Sequence, residues 1–437
     1  MAAGGALVIV CVQGLWHLGS VTAACLAAAG HDVIALDHDP QTIAQLREGR
    51  APVAEPGLDA LLREHAARLR FTSDPHDARD AAVVWVTYDT PVDSDDRADV
   101  EFVLAQVQRV LPHVSREAVV LVSSQLPVGS SRRIEAMVRE LRGSDSAISV
   151  ACSPENLRLG KAIEVFTHPD RVIVGARDEK ARTTIAALLA PITTKIEWMS
   201  VESAEMTKHA INSFLALSVT FANELASICE AVGADAKQVE RGLKTESRIG
   251  PRAYVAPGGA FAGGTLARDV AFLTELGARH HLTLPLLGGV RPSNEAHKQW
   301  AVRRIAQRLG RLDGVVVAVW GLTYKPGTDT LRRSASVELC RELAARGARV
   351  RAWDPAVREL PAELAATIEL AGSPAAAVAG ASALVVATEW PELKALDHAA
   401  LLATMARPLI LDANRFLSTI ASQPGIEYLA VGVPDHA

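Results

Sequence analysis

Short apolar runs alternate with longer mixed segments in the N-terminal part of the chain. Most positions are apolar in the runs at 6–12, 32–36, 82–87, 118–122, 147–151 and 171–175. Such runs are typical of strands buried on both faces of a parallel sheet. Helical patterns separate them at 20–29, 99–111 and 129–141. The alternation predicts an α/β fold that begins with a doubly wound Rossmann-like domain.

The pattern changes in the middle of the chain and then returns. Residues 200–232 form one long helical stretch without proline, and apolar residues dominate two of its sides. Such a helix usually connects domains or forms an oligomer interface. Strand-like runs resume at 314–320, 348–355, 383–388 and 408–413, with a helix at 335–346. We therefore expect two Rossmann-like doubly wound domains joined by a long central helix. The expected boundaries are 1–198, 199–305 and 306–437.

Residues 6–30 are apolar enough to imitate a membrane span. Gly14, His17, Gly19 and the polar segment 20–22 interrupt this stretch, so we interpret it as a strand, a loop and a helix. The first residues lack the basic start of a signal peptide. These features predict a cytoplasmic protein without a membrane partner.

Composition narrows the classes of partner. The chain has 45 Lys and Arg, 50 Asp and Glu, and an aromatic share of 4%. This balance favours neither nucleic acid nor an anionic membrane. The five cysteines lack the paired spacing of a zinc site and indicate a reducing compartment. We interpret the acidic run 93–96 as a solvated loop rather than a calcium site, and we expect no metal. The cysteines are Cys11, Cys25, Cys152, Cys229 and Cys340.

A glycine-bearing loop follows the first predicted strand. It reads Gly14-Leu15-Trp16-His17-Leu18-Gly19. In a dinucleotide-binding loop the first glycine permits a tight turn and the last lets the helix pack on the strand. The N–H groups at the helix start attract the pyrophosphate. Trp16 occupies the position of the middle glycine, which in that pattern lets the backbone approach the pyrophosphate closely. The loop predicts cofactor binding by these residues, and a tight turn in a cofactor-free domain is the alternative.

The second predicted strand ends at Asp37. An acid at this position can bind both adenosine ribose hydroxyls and repels a 2′-phosphate. Asp37 therefore predicts NAD rather than NADP.

Several longer segments together give a more specific signal. They are VTAACLAAAGHDV (21–33), SPENLRLGKAIEVFTHPDRVIVG (153–175), KHAINSFLALSVTFANELA (208–226), RIGPRAYVAPGGAFAGG (248–264), GLTYKPGTDTLRRS (321–334) and TEW (388–390). In this order and spacing, the sequence resembles the UDP-glucose/GDP-mannose dehydrogenase family over nearly its whole length. The resemblance implies an N-terminal NAD domain, a central helix that mediates homodimerisation and a C-terminal nucleotide-sugar domain. A UDP-linked sugar is the expected substrate.

The resemblance also implies a reaction and catalytic residues. Family members typically oxidise a nucleotide-sugar alcohol twice, through an aldehyde that a cysteine thiol captures, to a thioester that water cleaves. Glu155 matches a glutamate that acts in acid–base chemistry or positions water. Lys208 and Asn212 are spaced i, i+4 on one helix face, and they match residues that stabilise oxyanion charge. Asp269 matches an aspartate that assists beside the nucleophile.

Other matching positions imply ligand binding. Thr90 resembles a family residue beside the nicotinamide half of the cofactor. Arg248 matches a substrate-binding arginine that can reach across the dimer. A guanidinium suits phosphate recognition because its donors match the phosphate oxygens. The remaining implied substrate-binding residues are Tyr254, Gly263, Gly264, Lys325 and Arg332.

The chain departs from the family pattern at functional loops. Thr265 occupies the position of the family cysteine, and a threonine hydroxyl is a far poorer nucleophile than a thiolate. Gln125, which we place with the cofactor-binding residues, replaces a family threonine that helps to hold a catalytic water. Together with Trp16, these substitutions mean that three functional loops differ from the family pattern.

Four explanations remain open. The enzyme stops after one two-electron step, or it completes a double oxidation through an aldehyde hydrate without a covalent intermediate. The thiol is relocated, for example to Cys152. Alternatively, the protein is non-catalytic or redox-neutral and binds both ligands. Retention of Glu155, Lys208, Asn212 and Asp269 favours NAD-linked oxidoreduction but does not separate the first two explanations.

Overall fold

The computed structural model describes residues 7–91, 98–155 and 157–434 of the 437-residue chain. The chain divides into two compact units, Met1–Ala210 and Ile211–Ala437. The acidic run 93–96, predicted to be a solvated loop, lies outside the described residues.

Among the described residues, an eight-stranded sheet organises the first unit. Its strands are β1 (Ile9–Gln13), β2 (Asp32–Leu36), β3 (Leu69–Thr72), β4 (Val83–Val86), β5 (Val119–Val122), β6 (Ser149–Cys152), β7 (Val172–Gly175) and β8 (Ile196–Met199). Their order is β3-β2-β1-β4-β5-β6-β7-β8, and every pairing is parallel except that of β6 with β7. The order reverses between β1 and β4, which creates a crevice at their carboxyl ends where α/β proteins bind ligands.

Helices connect these strands. They are α1 (His17–Ala28), α2 (Pro40–Arg47), α3 (Leu58–Glu64), α4 (Val100–Val110), α5 (Ser130–Arg142), α6 (Ala162–Thr167) and α7 (Glu179–Leu189). Helix α1 begins three residues before the predicted start at 20, inside the glycine-bearing loop. Residues 18–27 of α1 are buried. The described part of the apolar stretch, 7–30, is therefore a strand, a loop and a core helix, as predicted.

The long central helix is confirmed as α8 (Val201–Val232), which runs through the boundary between the units. Among the described residues, α8 alone is long and apolar enough to cross a membrane by length and composition. In its most apolar window, 39% of the residues are buried within the protein. This is weak evidence for a span, because core helices of soluble proteins pass the same test.

The second unit repeats the sheet architecture. Its strands are β9 (Val316–Trp320), β10 (Arg349–Trp353), β11 (Ile368–Leu370), β12 (Ala383–Val386), β13 (Leu409–Leu411) and β14 (Glu427–Leu429). All pairings are parallel in the order β11-β10-β9-β12-β13-β14. Its helices after α8 are α9 (Ala236–Thr245), α10 (Thr265–Arg279), α11 (Pro285–Lys298), α12 (Trp300–Leu309), α13 (Ala335–Ala345), α14 (Ala362–Ala365), α15 (Pro374–Val378) and α16 (His398–Leu402).

The first strand of each sheet, β1 or β9, is followed by the same local turn. Gly14 has φ 95° and Gly321 has φ 94°. The amide after each of them donates to an aspartate, from Leu15 to Asp37 at 2.6 Å and from Leu322 to Asp354 at 2.7 Å. Both units are therefore Rossmann-like, and the predicted fold class is confirmed. The predicted domain boundaries stay a prediction.

Candidate active site

The two outer glycines of the dinucleotide loop meet strict steric limits. A Cβ on Gly14 would lie 2.6 Å from the ring of Tyr88, and its φ of 95° favours glycine. A Cβ on Gly19 would lie 1.7 Å from the Gly14 carbonyl oxygen. Gly14 therefore makes the turn and Gly19 allows helix α1 to pack on it.

Trp16, at the middle position of the loop, is not subject to the steric limits that apply to Gly14 and Gly19. Its backbone has φ −73°, which any residue adopts, and 52% of the residue is exposed. The tryptophan therefore replaces the middle glycine of the pattern without straining the loop. Leu15 and Leu18 on either side are buried and anchor it.

The start of α1 fits an anionic ligand. Among the described residues, no side chain caps this helix and no acid lies in its first turn. The positive end of the helix dipole is therefore left for a ligand. His17, the first residue of α1, turns its Nε2 to Glu55 at 2.9 Å. These features fit the pyrophosphate of NAD.

Asp37 lies at the end of β2, beside the same loop. Its Oδ2 accepts from Leu15 N at 2.6 Å, and its Oδ1 accepts from Asp39 N at 2.9 Å. It lines a small pocket with His38, Tyr88 and Arg109. Asp37 therefore positions the loop, and its contact with the ribose stays a prediction.

A narrow cavity in the first unit brings three predicted residues together. Gln125, Glu155 and Lys208 line it. Lys208 Nζ donates to the Glu155 carbonyl oxygen at 2.6 Å and lies 3.4 Å from Glu155 Oε1. Glu155 Oε2 also accepts from Leu157 N at 2.7 Å. An ammonium and a partly exposed carboxylate thus share a narrow space, which suits proton transfer and the stabilisation of negative charge.

Thr90 connects this cavity to the neighbouring strand end. Its hydroxyl donates to the Gln125 carbonyl oxygen at 2.7 Å, and the residue is buried. The structure therefore brings together two residues that the sequence assigns to cofactor binding.

Sequence reasoning missed two residues of the cavity, Glu205 and His209. Glu205 accepts from Gly129 N and from Ser131 N at 2.8 Å, and so caps helix α5. His209 lies 3.0 Å from the Leu126 carbonyl oxygen through Nε2 and is 1% exposed. The sequence signal for both residues was helical spacing, because Glu205 lies three residues before Lys208 and four before His209, and such residues share a helix face.

The second unit holds the other predicted catalytic residues. Asn212 Nδ2 donates to Asp269 Oδ2, and Asp269 is fully buried. Thr265 is the first residue of α10, one turn before Asp269, and is exposed. It follows Gly264, whose φ of 105° favours glycine. Thr265 and Asp269 are therefore placed by the same helix, but only Asp269 bonds to Asn212.

Side-chain amides fix the loop before α10. Asn223 accepts from Gly258 N at 3.0 Å and Asn414 accepts from Gly259 N at 2.7 Å. Asn294 exchanges two hydrogen bonds with the backbone of Phe261, at 3.0 and 2.8 Å. Amides can satisfy both backbone groups of an irregular segment, so this loop is held without regular secondary structure.

A cavity of about 530 Å³ lies in the second unit. It opens at the carboxyl ends of β9, β12 and β13, where the strand order reverses. Lys325, Tyr324 and Asn414 line it, together with the loop residues Gly259 and Ala262. A cavity of this size at this position, with a mixed polar and apolar lining, fits a nucleotide.

The remaining predicted substrate-binding residues are less enclosed. Arg248 and Tyr254 are exposed, and Arg248 Nε donates to Glu246 at 2.8 Å. Arg332 is exposed and Gly263 is partly buried. These four residues do not line the large cavity.

The thiols are inaccessible. All five cysteines are buried. Burial raises the pKa of Cys11, Cys25 and Cys340 to about 12. Burial also raises the pKa of Cys152, with a smaller contribution from nearby Glu205. Cys152 lines the narrow cavity, but a buried thiol that stays protonated is a poor nucleophile.

The match to known proteins covers nearly the whole chain. Three parts of one family match: its NAD binding domain at 8–193, its central domain at 202–296 and its UDP binding domain at 318–419. The chain belongs to the UDP-glucose/GDP-mannose dehydrogenase family. It is 35% identical to UDP-glucose 6-dehydrogenases of Pseudomonas aeruginosa, over 97% of both chains, and of Bacillus subtilis, over 96% of this chain and 97% of the relative.

Solved structures agree with this membership. A UDP-glucose dehydrogenase of Pyrobaculum islandicum superimposes with a TM-score of 0.87 at 30% identity, covering 98% of both chains. The protein is an NAD-dependent nucleotide-sugar dehydrogenase by family, with NAD as its cofactor. Among the described residues, no cluster of three or more His, Cys, Asp or Glu side chains could hold a metal ion.

Proposed function

We propose that the protein oxidises a UDP-glucose-like nucleotide sugar at a carbinol carbon without forming a thioester. The reaction is one two-electron step or a double oxidation to the uronate through an aldehyde hydrate. The observation that carries this proposal is the pair of Lys208 and Glu155 in one narrow cavity, combined with the burial of all five thiols.

NAD, when bound, accepts the hydride from the sugar carbon. Lys208 polarises the carbinol oxygen, and Asn212, one turn further along α8, does the same directly or through water. Glu155 takes the proton that leaves the hydroxyl, and Asp269 assists through its bond to Asn212. The products of one step are a carbonyl compound, NADH and a proton.

The second step of the double oxidation needs water in place of a thiol. Glu155 would first release its proton to solvent, and water would then add to the aldehyde carbon while Glu155 takes a proton from the adduct. A second NAD, bound after NADH has left, would supply the oxidant for the hydrate. Thr265 does not replace the thiol, because its exposed hydroxyl would need a strong adjacent base. Gln125 lies on the wall of the cavity, where its amide can orient the water.

The substrate side of the proposal rests on the large cavity of the second unit. We place the UDP moiety there, with Lys325 near the diphosphate and the 254–264 loop along the sugar. Arg248, Tyr254, Gly263, Gly264 and Arg332 complete this set as proposed substrate contacts. The two relatives named above are both UDP-glucose 6-dehydrogenases, which favours UDP-glucose as the first substrate to try.

We also propose a cytoplasmic homodimer formed through α8. Phe214, Phe221 and Ile228 recur every seven residues on this helix and are 65%, 49% and 57% exposed. An apolar stripe of this kind favours a partner helix. The domain division at 198/199 and 305/306 stays part of the proposal.

The test is NADH formed per UDP-glucose consumed, with the mass of the product. Two NADH and a uronate, or one NADH and a carbonyl compound, would each support the proposal and select the route. Tight binding of NAD and UDP-glucose with no NADH from any nucleotide sugar would support a binding protein instead.

A further inference from the structure

Glu55 is a buried carboxylate that the proposed reaction does not use. Its side chain is 1% exposed and lies in the segment before α3. It accepts from Gly160 N at 2.7 Å and from Ala162 N at 2.9 Å, and it pairs with His17 Nε2 at 2.9 Å. A buried charge is costly unless it is fully hydrogen-bonded, and these three contacts meet that requirement.

The contacts also keep Glu55 ionised. Burial opposes ionisation, but the hydrogen bonds from His17, Gly160 and Ala162 outweigh it and hold the pKa of Glu55 below its ordinary value. Charge-assisted hydrogen bonds of this kind are stronger than neutral ones. Glu55 is therefore a firm junction between chain segments.

The junction connects two parts of the site that are far apart in sequence. His17 is the first residue of α1, where the pyrophosphate of NAD is expected. Gly160 and Ala162 stand five and seven residues after Glu155, whose carboxylate accepts from Leu157 N. Hydrogen bonds therefore connect the first residue of α1 through Glu55 to Gly160 and Ala162, which lie a few residues along the chain from Glu155.

We propose that Glu55 and His17 are positioning residues that couple occupation of the cofactor loop to the placement of the 157–163 segment, and through it of Glu155. The consequence for catalysis rests on the proposed function of Glu155. The coupling itself does not, because it requires only NAD binding. Ordering of one segment by a ligand on another is a coupling between sites that can be measured directly.

Hydrogen exchange with NAD alone tests the coupling. In the wild-type protein, saturating NAD should slow amide exchange at 14–20 and also, at least threefold, at 157–163. In Glu55→Gln, protection at 14–20 should remain, while the added protection at 157–163 should disappear. Glu64→Gln, an exposed glutamate on α3, is the matched control and should behave as wild type.

Two outcomes would overturn the proposal. One is NAD protection confined to 14–20, or absent from both segments, in the wild-type protein. The other is coupled protection that survives in Glu55→Gln. If Glu55→Gln fails to fold, His17→Phe decides the matter, since His17 is at the surface end of the junction with a side chain 16% exposed. Persistence of the coupling in His17→Phe would then contradict the proposal.

Turnover gives a second reading. Glu55→Gln should lower kcat about tenfold at saturating NAD and sugar. Because kcat is expressed per folded molecule, the comparison does not require the variant to keep the thermal stability of the wild-type protein. A merely structural role would lower the unfolding midpoint and leave kcat per folded molecule at the wild-type value. If the wild-type protein shows coupled protection but no turnover, the proposed function is refuted, while the coupling between the cofactor loop and the 157–163 segment is still supported.

Discussion

At the scale of single residues, Gly14 and Trp16 stand two positions apart under different constraints. Gly14 needs its left-handed backbone and has no room for a Cβ beside Tyr88. Trp16 has a negative φ, which does not require glycine, and an exposed side chain. The comparison explains how the middle position of a glycine motif can change while its outer positions remain.

This contrast predicts opposite results for two substitutions. Gly14→Ala should destabilise the protein by about 2 kcal/mol or more, because it combines left-handed strain with a clash. Trp16→Gly should change stability by only about 0.5 kcal/mol, since glycine is accepted at a helix N-cap. Thermal unfolding of both variants measures this. Equal unfolding midpoints for the two would contradict the steric account.

Lys208 is the residue on which the proposed chemistry depends most. Lys208→Met should lower kcat by about 10²–10³, the usual cost of losing one donor to a developing oxyanion. Its unfolding midpoint should stay near that of wild type, because methionine fills a similar volume. Lys244→Met, which removes a lysine paired with Glu240 on α9, is the control. A wild-type kcat in Lys208→Met would remove Lys208 from the mechanism.

At the scale of elements, successive turns of α8 carry side chains with different contacts. Its first turn is tied to the first unit, since Glu202 pairs with Arg177 and Arg132. Its second to fourth turns present Lys208, His209 and Asn212. Its later turns expose an apolar stripe. One helix thus carries an ion-paired first turn, the proposed catalytic groups and the proposed interface.

The anchor at Glu202 has a defined pH dependence. The bond from Arg177 lowers the pKa of Glu202 from 4.5 to about 2. Because the folded-state pKa is depressed, the stabilisation is complete above about pH 4.5 and is lost as pH falls toward 2. Glu202→Gln should cost about 1 kcal/mol at pH 7, a value reduced for solvent screening. Urea unfolding at pH 7, 4.5 and 3 should show the difference shrinking only in the most acidic sample; a constant difference would contradict this.

The stripe on α8 predicts the oligomeric state. Phe221→Glu places a charge in the proposed interface and should convert a dimer to a monomer in sedimentation or light-scattering measurements. Leu141→Glu alters an exposed leucine on α5 and should leave the dimer intact. A monomeric wild-type protein, or a dimer unaffected by Phe221→Glu, would contradict the α8 interface.

At the scale of the whole molecule, the periodic parts of the sequence predict most of the fold. Strands β4 and β5 are buried at every position and are visible as continuous apolar runs. Strand β3 gives no continuous apolar run in the sequence, because apolar and polar residues alternate in Leu69–Thr72. The three-residue strands β11 and β14 are too short to give a pattern.

The site was predictable where its chemistry follows strand ends and motifs, as for Asp37 or Glu155. Residues that act through distant backbone groups left no such mark. Glu55 bonds to Gly160 and Ala162 more than a hundred residues away, and Asn414 bonds to Gly259 across a separation of 155. Such contacts become visible only when the fold is known.

The central claim is that the protein oxidises a nucleotide sugar without a thiol intermediate. The most direct test is NADH formation from UDP-glucose before and after treatment of the native protein with iodoacetamide. We predict the same rate and the same NADH yield per sugar in both samples, because all five thiols are buried. Abolition of NADH formation by alkylation, or no NADH from the untreated protein with any UDP-hexose, would contradict the claim.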